Sequence, residues 1–161
     1  MVMWFGTAFG LACLSAVVPV LSIELFLIGL VTQRPDLSPV ALGGAIAAGQ
    51  VLGKIVHYYA ARGAVRLPSL LRRTPRADRP TGRVASWARS TAVRARDRPG
   101  WMVGVLGASS VVGLPPFGAM TVLAGLTGMR VSLFVAVGFG GRFIRYSCLA
   151  AAPAMLANLV F

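Results

Sequence analysis

Acidic side chains are scarce in this chain of 161 residues. Four Asp and Glu stand against sixteen Lys and Arg, and charged residues make up only 12% of the sequence, against about 25% in an average soluble domain. A soluble domain of this length could not bury an apolar fraction of 57%, and disorder is excluded because it requires low hydrophobicity. The composition therefore predicts an integral membrane protein of one compact unit.

Residues that ligate metals or act as nucleophiles are also scarce. The chain has one histidine and two cysteines, Cys13 and Cys148, which lie in apolar runs without metal-ligand spacing. We expect both cysteines to be small buried apolar side chains. No dinucleotide-binding, phosphate-loop or nucleophile-elbow motif is present. The sequence therefore predicts no enzyme activity, no metal and no cofactor.

The charges divide the chain into three parts. We predict a first re-entrant hairpin and transmembrane helix in residues 1–61, an Arg-rich loop in residues 62–99, and a second hairpin and transmembrane helix in residues 100–161. Eleven Arg and two Asp lie between residues 62 and 98, and the positive-inside rule places such a loop in the cytoplasm. The polar break at residues 32–36 then faces outward. These features predict a multi-pass protein of the plasma membrane.

The Arg-rich loop has more than one candidate partner. Nucleic acid is not expected, because Trp87 is the only aromatic residue of the loop and cannot provide a series of stacking platforms. Beside a bilayer, Arg side chains contact anionic lipid headgroups, at about 1 kcal/mol per residue near the surface. One face of an interfacial helix is predicted there, formed by Val84, Trp87, Ala88, Thr91 and Ala95. A protein partner remains an alternative.

Two apolar segments are unsuited to straight membrane crossing. A spanning helix needs about 20 uninterrupted apolar residues, whereas Pro19 interrupts residues 1–31, and Pro115 and Pro116 interrupt residues 100–128. Proline breaks a helix, and broken backbone at membrane depth must be shielded from lipid by protein or water. We therefore predict two re-entrant hairpins with these prolines at their tips. A kinked single span is the alternative for each.

Two other segments, residues 40–61 and 131–151, have the length and composition of true spans, and Pro153 is predicted to end the second. They contain matching hexamers, Gly53-Lys54-Ile55-Val56-His57-Tyr58 and Gly141-Arg142-Phe143-Ile144-Arg145-Tyr146. Each hexamer follows a Pro-interrupted segment. The predicted fold is therefore all-α, with two hairpin-plus-span units in an inverted repeat, a plan typical of transporters with a midplane site.

Each predicted span carries its polar residues on one helix face. The two faces comprise Gln50, Lys54, His57 and Tyr58 in the first span, and Gly138, Arg142, Arg145 and Tyr146 in the second. Small residues let helices approach closely, and the predicted packing positions are Gly49, Gly53, Gly138 and Gly141. Such surfaces are also compatible with a homodimer. Arg142 lies twelve residues after Arg130, about 18 Å along a helix, which is close to the bilayer centre.

Too few acids are present to neutralise the cations of the spans. A cation at the centre of a span costs about 2.5–3.5 kcal/mol on insertion scales, and Glu24 is the only carboxylate within the apolar segments. The deficit predicts an anion from outside the protein, and Arg favours phosphate through its bidentate fork. We therefore expect a lipid phosphate headgroup to be held by Arg142, Arg145, Lys54, Tyr58 and Tyr146. Snorkelling of the cations to the cytoplasmic interface is the alternative.

Glu24 has two candidate roles. A carboxyl group that is buried beside a cation can exchange a proton during a transport cycle, so Glu24 is predicted to gate the pathway or to carry a proton. The alternative is a fixed salt bridge to Lys54 or to an Arg.

These motifs together resemble the DedA family, also called the SNARE-associated or VTT-domain family, and its small YqaA-like branch in particular. The resemblance covers most of the chain outside residues 62–98 and lies in residues 19–24, 49–54 with Tyr58, 114–118, 124–125 and 141–146. It implies two facing re-entrant hairpins and transport of lipids between leaflets, and bacterial members are linked to undecaprenyl-phosphate recycling and to the proton motive force. Many relatives have an acidic residue where this chain has Phe117, Gly118 and Ala119, so passive scrambling, or coupling through Glu24 alone, fits better than coupling through two acids.

The expected function is therefore that of a flippase or scramblase that moves an anionic phospholipid or polyprenyl phosphate between leaflets. One alternative is a non-transporting membrane scaffold that recruits anionic lipid or a partner through the Arg-rich loop. Another is a small exporter of cationic compounds, which would require acidic residues to dominate its cavity.

Overall fold

The structure is a computed structural model that describes residues 2–18, 22–63 and 99–160. Within these ranges the chain forms six α-helices and no strand: α1 Val2–Val17, α2 Ile23–Gln33, α3 Pro39–Ala61, α4 Pro99–Val112, α5 Phe117–Leu126 and α6 Val131–Val160. The all-α prediction is confirmed for this part of the chain. The predicted hairpin tip at Pro19 and the predicted interfacial helix at residues 84–95 lie outside the described residues.

Two of the helices are long and apolar enough to cross a membrane. They are α3, over Pro39–Ala61, and the part of α6 over Val131–Pro153, and they coincide with the two spans predicted from the sequence. The second candidate span ends at Pro153, but Pro153 does not end the helix, because α6 continues to Val160. A proline removes one backbone donor, and an apolar helix packed among others can continue past it.

The residues before α3 determine where that helix begins. The Ser38 hydroxyl accepts a hydrogen bond from the backbone N–H of Ala41 at 3.4 Å, and Pro39 follows in the first turn. In the preceding loop, Arg34 Nε and Asp36 Oδ1 form an exposed ion pair at 3.0 Å. The hydrogen bond from Arg34 lowers the pKa of the Asp36 carboxyl. The pair therefore stabilises the fold at pH values above the ordinary pKa of Asp. This stabilisation is lost as the pH falls through the lowered pKa of Asp36.

Helices α3 and α6 pack against each other in antiparallel directions. Gly43 near the start of α3 lies against Ser147, Val51 lies beside Gly138 at the middle, and the rings of Tyr58 and Phe134 stack at 5.1 Å. Helix α1 packs on α3 and α4 packs on α6, whereas the short α2 contacts α6 and the short α5 contacts α3. Each short helix therefore packs against the long helix of the other half of the chain.

Two apolar clusters hold the helices together. The first surrounds the start of α3 and includes Leu27, Leu42, Ile46, Tyr146 and Ala150. The second surrounds the end of α3 and includes Tyr58, Met102, Leu106, Phe117 and Phe134. Both clusters draw residues from both halves, so the halves form one unit. The expectation that both cysteines are buried fails, because Cys148 is exposed on α6.

The contact of α1 with α3 depends on glycine. A Cβ at Gly53 would lie 2.6 Å from the carbonyl oxygen of Cys13 and 2.7 Å from the Cβ of Ala16. We predict that Gly53→Ala lowers stability by about 1–3 kcal/mol through overpacking, although Ala is the better helix former. Thermal unfolding in detergent measures the effect. The control is Gly10→Ala, because a Cβ at that position meets no atom within 4 Å. A Gly53→Ala protein that unfolds no earlier than the wild type would contradict the prediction.

Candidate functional site

The midpoints of the two long helices meet at a polar contact. Gln50 is the eleventh residue after Pro39 and the eleventh before Ala61, and Arg142 has the same position between Val131 and Pro153. Arg142 Nη1 lies 3.4 Å from Gln50 Oε1. A guanidinium group is therefore held at the centre of the antiparallel pair.

The groups in direct contact with Arg142 are neutral. Its Nη1 donates a hydrogen bond to the hydroxyl of the buried Tyr146 at 2.5 Å, and its guanidinium carbon lies 4.4 Å from the centre of the Phe117 ring. A cation over an aromatic face is stabilised by about 2 kcal/mol when desolvated. The Nε atom of Arg142 is buried and has no hydrogen-bond partner among the described residues. These contacts orient the guanidinium group but leave its charge unneutralised.

Gln50 is fixed from the opposite side by α1. Its Nε2 donates to the Ser15 hydroxyl at 2.7 Å and to the carbonyl oxygen of Ala12 at 3.2 Å. With both amide protons directed toward α1, the amide oxygen faces Arg142. Such a buried polar network specifies one arrangement of helices, because leaving any member unpaired is costly.

Arg145 lies one helical turn beyond Arg142 and has a different set of partners. Its Nη2 forms an ion pair with Glu24 Oε1 at 2.6 Å, with 26% of the Arg145 side chain and 44% of the Glu24 side chain exposed. Its Nη1 donates to the carbonyl oxygens of Val112 at 2.6 Å and Val111 at 3.1 Å. These are the last carbonyls of α4, where the helix carries partial negative charge. The ion pair thus joins the start of α2 to the end of α4 through α6.

The turn after α4 is shaped to admit Arg145. Gly113 has a φ of +87°, which non-glycine residues rarely adopt. A Cβ there would lie 2.8 Å from Arg145 Nη1. Glycine therefore suits the conformation of the turn and leaves room for the guanidinium group. Pro115 and Pro116 follow in the connection to α5, where the Ser109 hydroxyl donates to the carbonyl oxygen of Pro115.

Lys54 is one turn past Gln50 and is partly buried. The Lys54 Nζ donates a hydrogen bond to the carbonyl oxygen of Ala16 at 2.6 Å. A Cβ at Gly118 would lie 3.6 Å from this Nζ. Lys54 therefore sits between the end of α1 and the start of α5. In the part of the chain that the structure describes, no carboxylate forms an ion pair with Lys54 or Arg142.

The structure brings some of the predicted site residues together and separates others. Arg142 and Tyr146 are in direct contact, as are Arg145 and Glu24. Tyr58 lies apart, because its hydroxyl donates to the carbonyl oxygen of Met129 and accepts from Arg62. The glycines lie at helix contacts: Gly49 and Gly53 against α1, Gly138 against Phe117, and Gly141 against Ser110. The salt-bridge alternative for Glu24 is realised with Arg145 and not with Lys54.

Two residues at the site were not among those predicted to hold the phosphate. The sequence placed Gln50 on the polar face of the first span, one turn before Lys54, but gave it no role. Phe117 stands where the resemblance led us to look for an acid, and its ring instead packs on Arg142. The carbonyls of Val111 and Val112 leave no signal in the sequence, because every residue carries one.

Cations therefore outnumber carboxylates in the interior described here, with Lys54, Arg142 and Arg145 against Glu24. No group of three or more His, Cys, Asp or Glu suited to a metal ion occurs among the described residues. Comparisons with family models, with curated proteins and with solved structures found no match to this chain.

Proposed function

We propose that this protein is a multi-pass protein of the plasma membrane that moves an anionic phospholipid or polyprenyl phosphate between leaflets. The observation that carries the proposal is Arg142, a guanidinium group at the midpoint of two apolar helices, with a buried Nε–H that lacks a partner and no carboxylate in ion-pair contact among the described residues. A phosphate oxygen would supply both the missing acceptor and the missing charge.

The depth of Arg142 supports a site in the bilayer interior. Eleven residues on either side correspond to about 16 Å of helix, and the hydrocarbon core is about 30 Å thick. A cation at that depth is costly and is characteristic of a functional position. The cost falls when an anionic ligand shares the site.

The packing of the helices supports an inverted repeat with re-entrant hairpins. Helices α3 and α6 run antiparallel, and each short helix packs against the long helix of the other half. With 11 and 10 residues, α2 and α5 are too short to cross a bilayer, which requires about 20. In this proposal they enter from opposite sides and shield a polar centre from lipid.

The transported phosphate passes along one face of α6. Arg142 and Arg145 are three residues apart, about 4.5 Å along the helix axis, so a phosphate group can be handed from one guanidinium to the other. The Glu24 carboxylate pairs with Arg145, and in this proposal it competes with the phosphate for that guanidinium group. Its displacement opens the second binding position, and its return releases the lipid.

Leaflet transfer in proteoliposomes tests the proposal and separates it from the scaffold alternative. We expect an anionic fluorescent phosphatidate to equilibrate between leaflets faster than a phosphatidylcholine with the same chains, and deletion of residues 77–96 to leave that rate unchanged. The scaffold alternative predicts no transfer by the intact protein. Equal rates for the two lipids, or no transfer above empty liposomes, would contradict the proposed function.

Export of cationic compounds is less consistent with these contacts. It requires acidic residues facing the pathway, whereas the one carboxylate of the described interior, Glu24, is already paired with Arg145.

A further inference from the structure

An open apolar groove begins at Arg145 and runs along the outer surface of α6. Its volume is about 400 Å³, and it is lined by Val111, Ile144, Arg145, Cys148, Leu149 and Ala152. Five of these residues belong to α6 and recur at the spacing of one helix face, while Val111 comes from the end of α4. From Arg145 to Ala152 the groove extends about 10 Å along the helix.

The two ends of the groove differ in chemistry. Arg145 is the only charged residue among those that line it, and the remaining lining is aliphatic apart from the thiol of Cys148. Arg145 is 26% exposed and bound to a carboxylate that is itself 44% exposed. An anion arriving from the side can therefore reach this guanidinium group. A molecule that matches the groove has an anionic head and a hydrocarbon tail.

We propose that this groove holds one hydrocarbon chain of the transported lipid while its phosphate binds Arg145. The inference rests on the proposed function and adds to it the path of the tail. The volume lies within the range of small-molecule sites, so it suits one chain and not a packed helix. A second copy of this protein would have to cover the exposed Arg145–Glu24 pair with an apolar helix, which carries a desolvation cost.

In this arrangement the groove positions the hydrocarbon chain but adds little to the affinity for the lipid. Hydrocarbon is as apolar as the groove itself, so a chain gains little free energy by moving from bilayer to groove. Affinity comes from the phosphate at Arg145, and the groove aligns the tail along α6. The experiment must therefore report where the chain lies and not only how tightly the lipid binds.

Photo-crosslinking locates the chain directly. The intact protein is placed in phosphatidylcholine nanodiscs with a trace of phosphatidate that carries a diazirine midway along one acyl chain, and labelled residues are mapped by mass spectrometry. A phosphatidylcholine probe with the same chain gives the background. We expect phosphatidate to label Cys148, Leu149 and Ala152 about tenfold more than the background probe does, the factor that one charge-assisted hydrogen bond supplies. The exposed Leu52 on α3 should be labelled equally by both probes.

Two variants check the roles of the head and the tail. Arg145→Gln should reduce labelling of the groove by phosphatidate to the background level. Cys148→Trp fills the groove and should shift labelling away from Leu149 and Ala152 while phosphatidate remains bound. Leu52→Trp is the matched control and should leave the pattern unchanged.

The outcomes distinguish this inference from the function on which it rests. Enrichment of phosphatidate labelling on other helices, with the groove at background, would overturn the tail path and leave anionic lipid binding intact. Equal labelling by both probes everywhere would overturn both. Disulfide crosslinking of two copies through Cys148, with no lipid label in the groove, would identify a second copy as the occupant and also overturn the inference.

Discussion

Replacing Arg142 by Gln should lower the rate of anionic lipid transfer about ten- to a hundredfold. The change removes a charge-assisted hydrogen bond to phosphate, which contributes about 1.5–3 kcal/mol. Gln is chosen because it retains a polar group beside Gln50 and Tyr146, so the buried network keeps a donor. The measurement is the leaflet-transfer rate of fluorescent phosphatidate in proteoliposomes of equal protein content.

Two further variants determine whether the loss of lipid transfer depends on the shape and position of the Arg142 guanidinium group. Arg142→Lys retains the charge but loses the planar fork and the stacking on Phe117, and should give an intermediate rate. Arg130→Gln removes a cation that precedes α6 and is exposed, and should transfer lipid at the wild-type rate. If Arg142→Gln and Arg130→Gln behave alike, Arg142 does not hold the phosphate.

Replacing Glu24 by Gln should increase the retention of anionic lipid about tenfold. In the proposed cycle the Glu24 carboxylate competes with phosphate for Arg145, and the amide of Gln is a weaker competitor because it is neutral. Retention is measured as the ratio of phosphatidate to phosphatidylcholine that remains bound after the protein is diluted into neutral nanodiscs. The transfer rate should fall at the same time, because the lipid is released more slowly.

Asp36→Asn provides the matched control for Glu24→Gln. Asp36 also pairs with an arginine, Arg34, but in an exposed loop, so its neutralisation should change neither retention nor transfer. The double variant Glu24→Gln/Arg145→Gln should retain less phosphatidate than the wild type, because it lacks the guanidinium group for which Glu24 and phosphate compete. Unchanged or weaker retention in Glu24→Gln alone would show that Glu24 is a structural counter-ion and no competitor.

The two long helices were predictable because length and hydropathy are local properties. Residues 40–61 and 131–151 were predicted as spans, and helices α3 and α6 cover both. The continuation of helix α6 past Pro153 was not predictable, because a proline in a sequence usually indicates the end of a helix.

The partners of the charged residues could be predicted only in part. The sequence identified Glu24 as the single acid available to the interior cations, but Lys54 and the arginines were equivalent candidates until the fold placed Arg145 at 2.6 Å from it. The matching hexamers suggested equivalent roles for Tyr58 and Tyr146. Tyr146 contacts Arg142, whereas Tyr58 contacts Arg62 and the backbone before α6. Similar local sequence does not fix which helix lies opposite.

Native mass spectrometry of the protein extracted together with its surrounding membrane tests the central claim most directly. The claim is that the interior cations hold the phosphate of a lipid. We predict that the wild type retains about one anionic, phosphate-bearing lipid under conditions that strip phosphatidylcholine, and that Arg142→Gln with Arg145→Gln loses it, since such charge-assisted contacts are the strong ones. Retention of lipids in the proportions of the membrane, unchanged by the two substitutions, would contradict the claim.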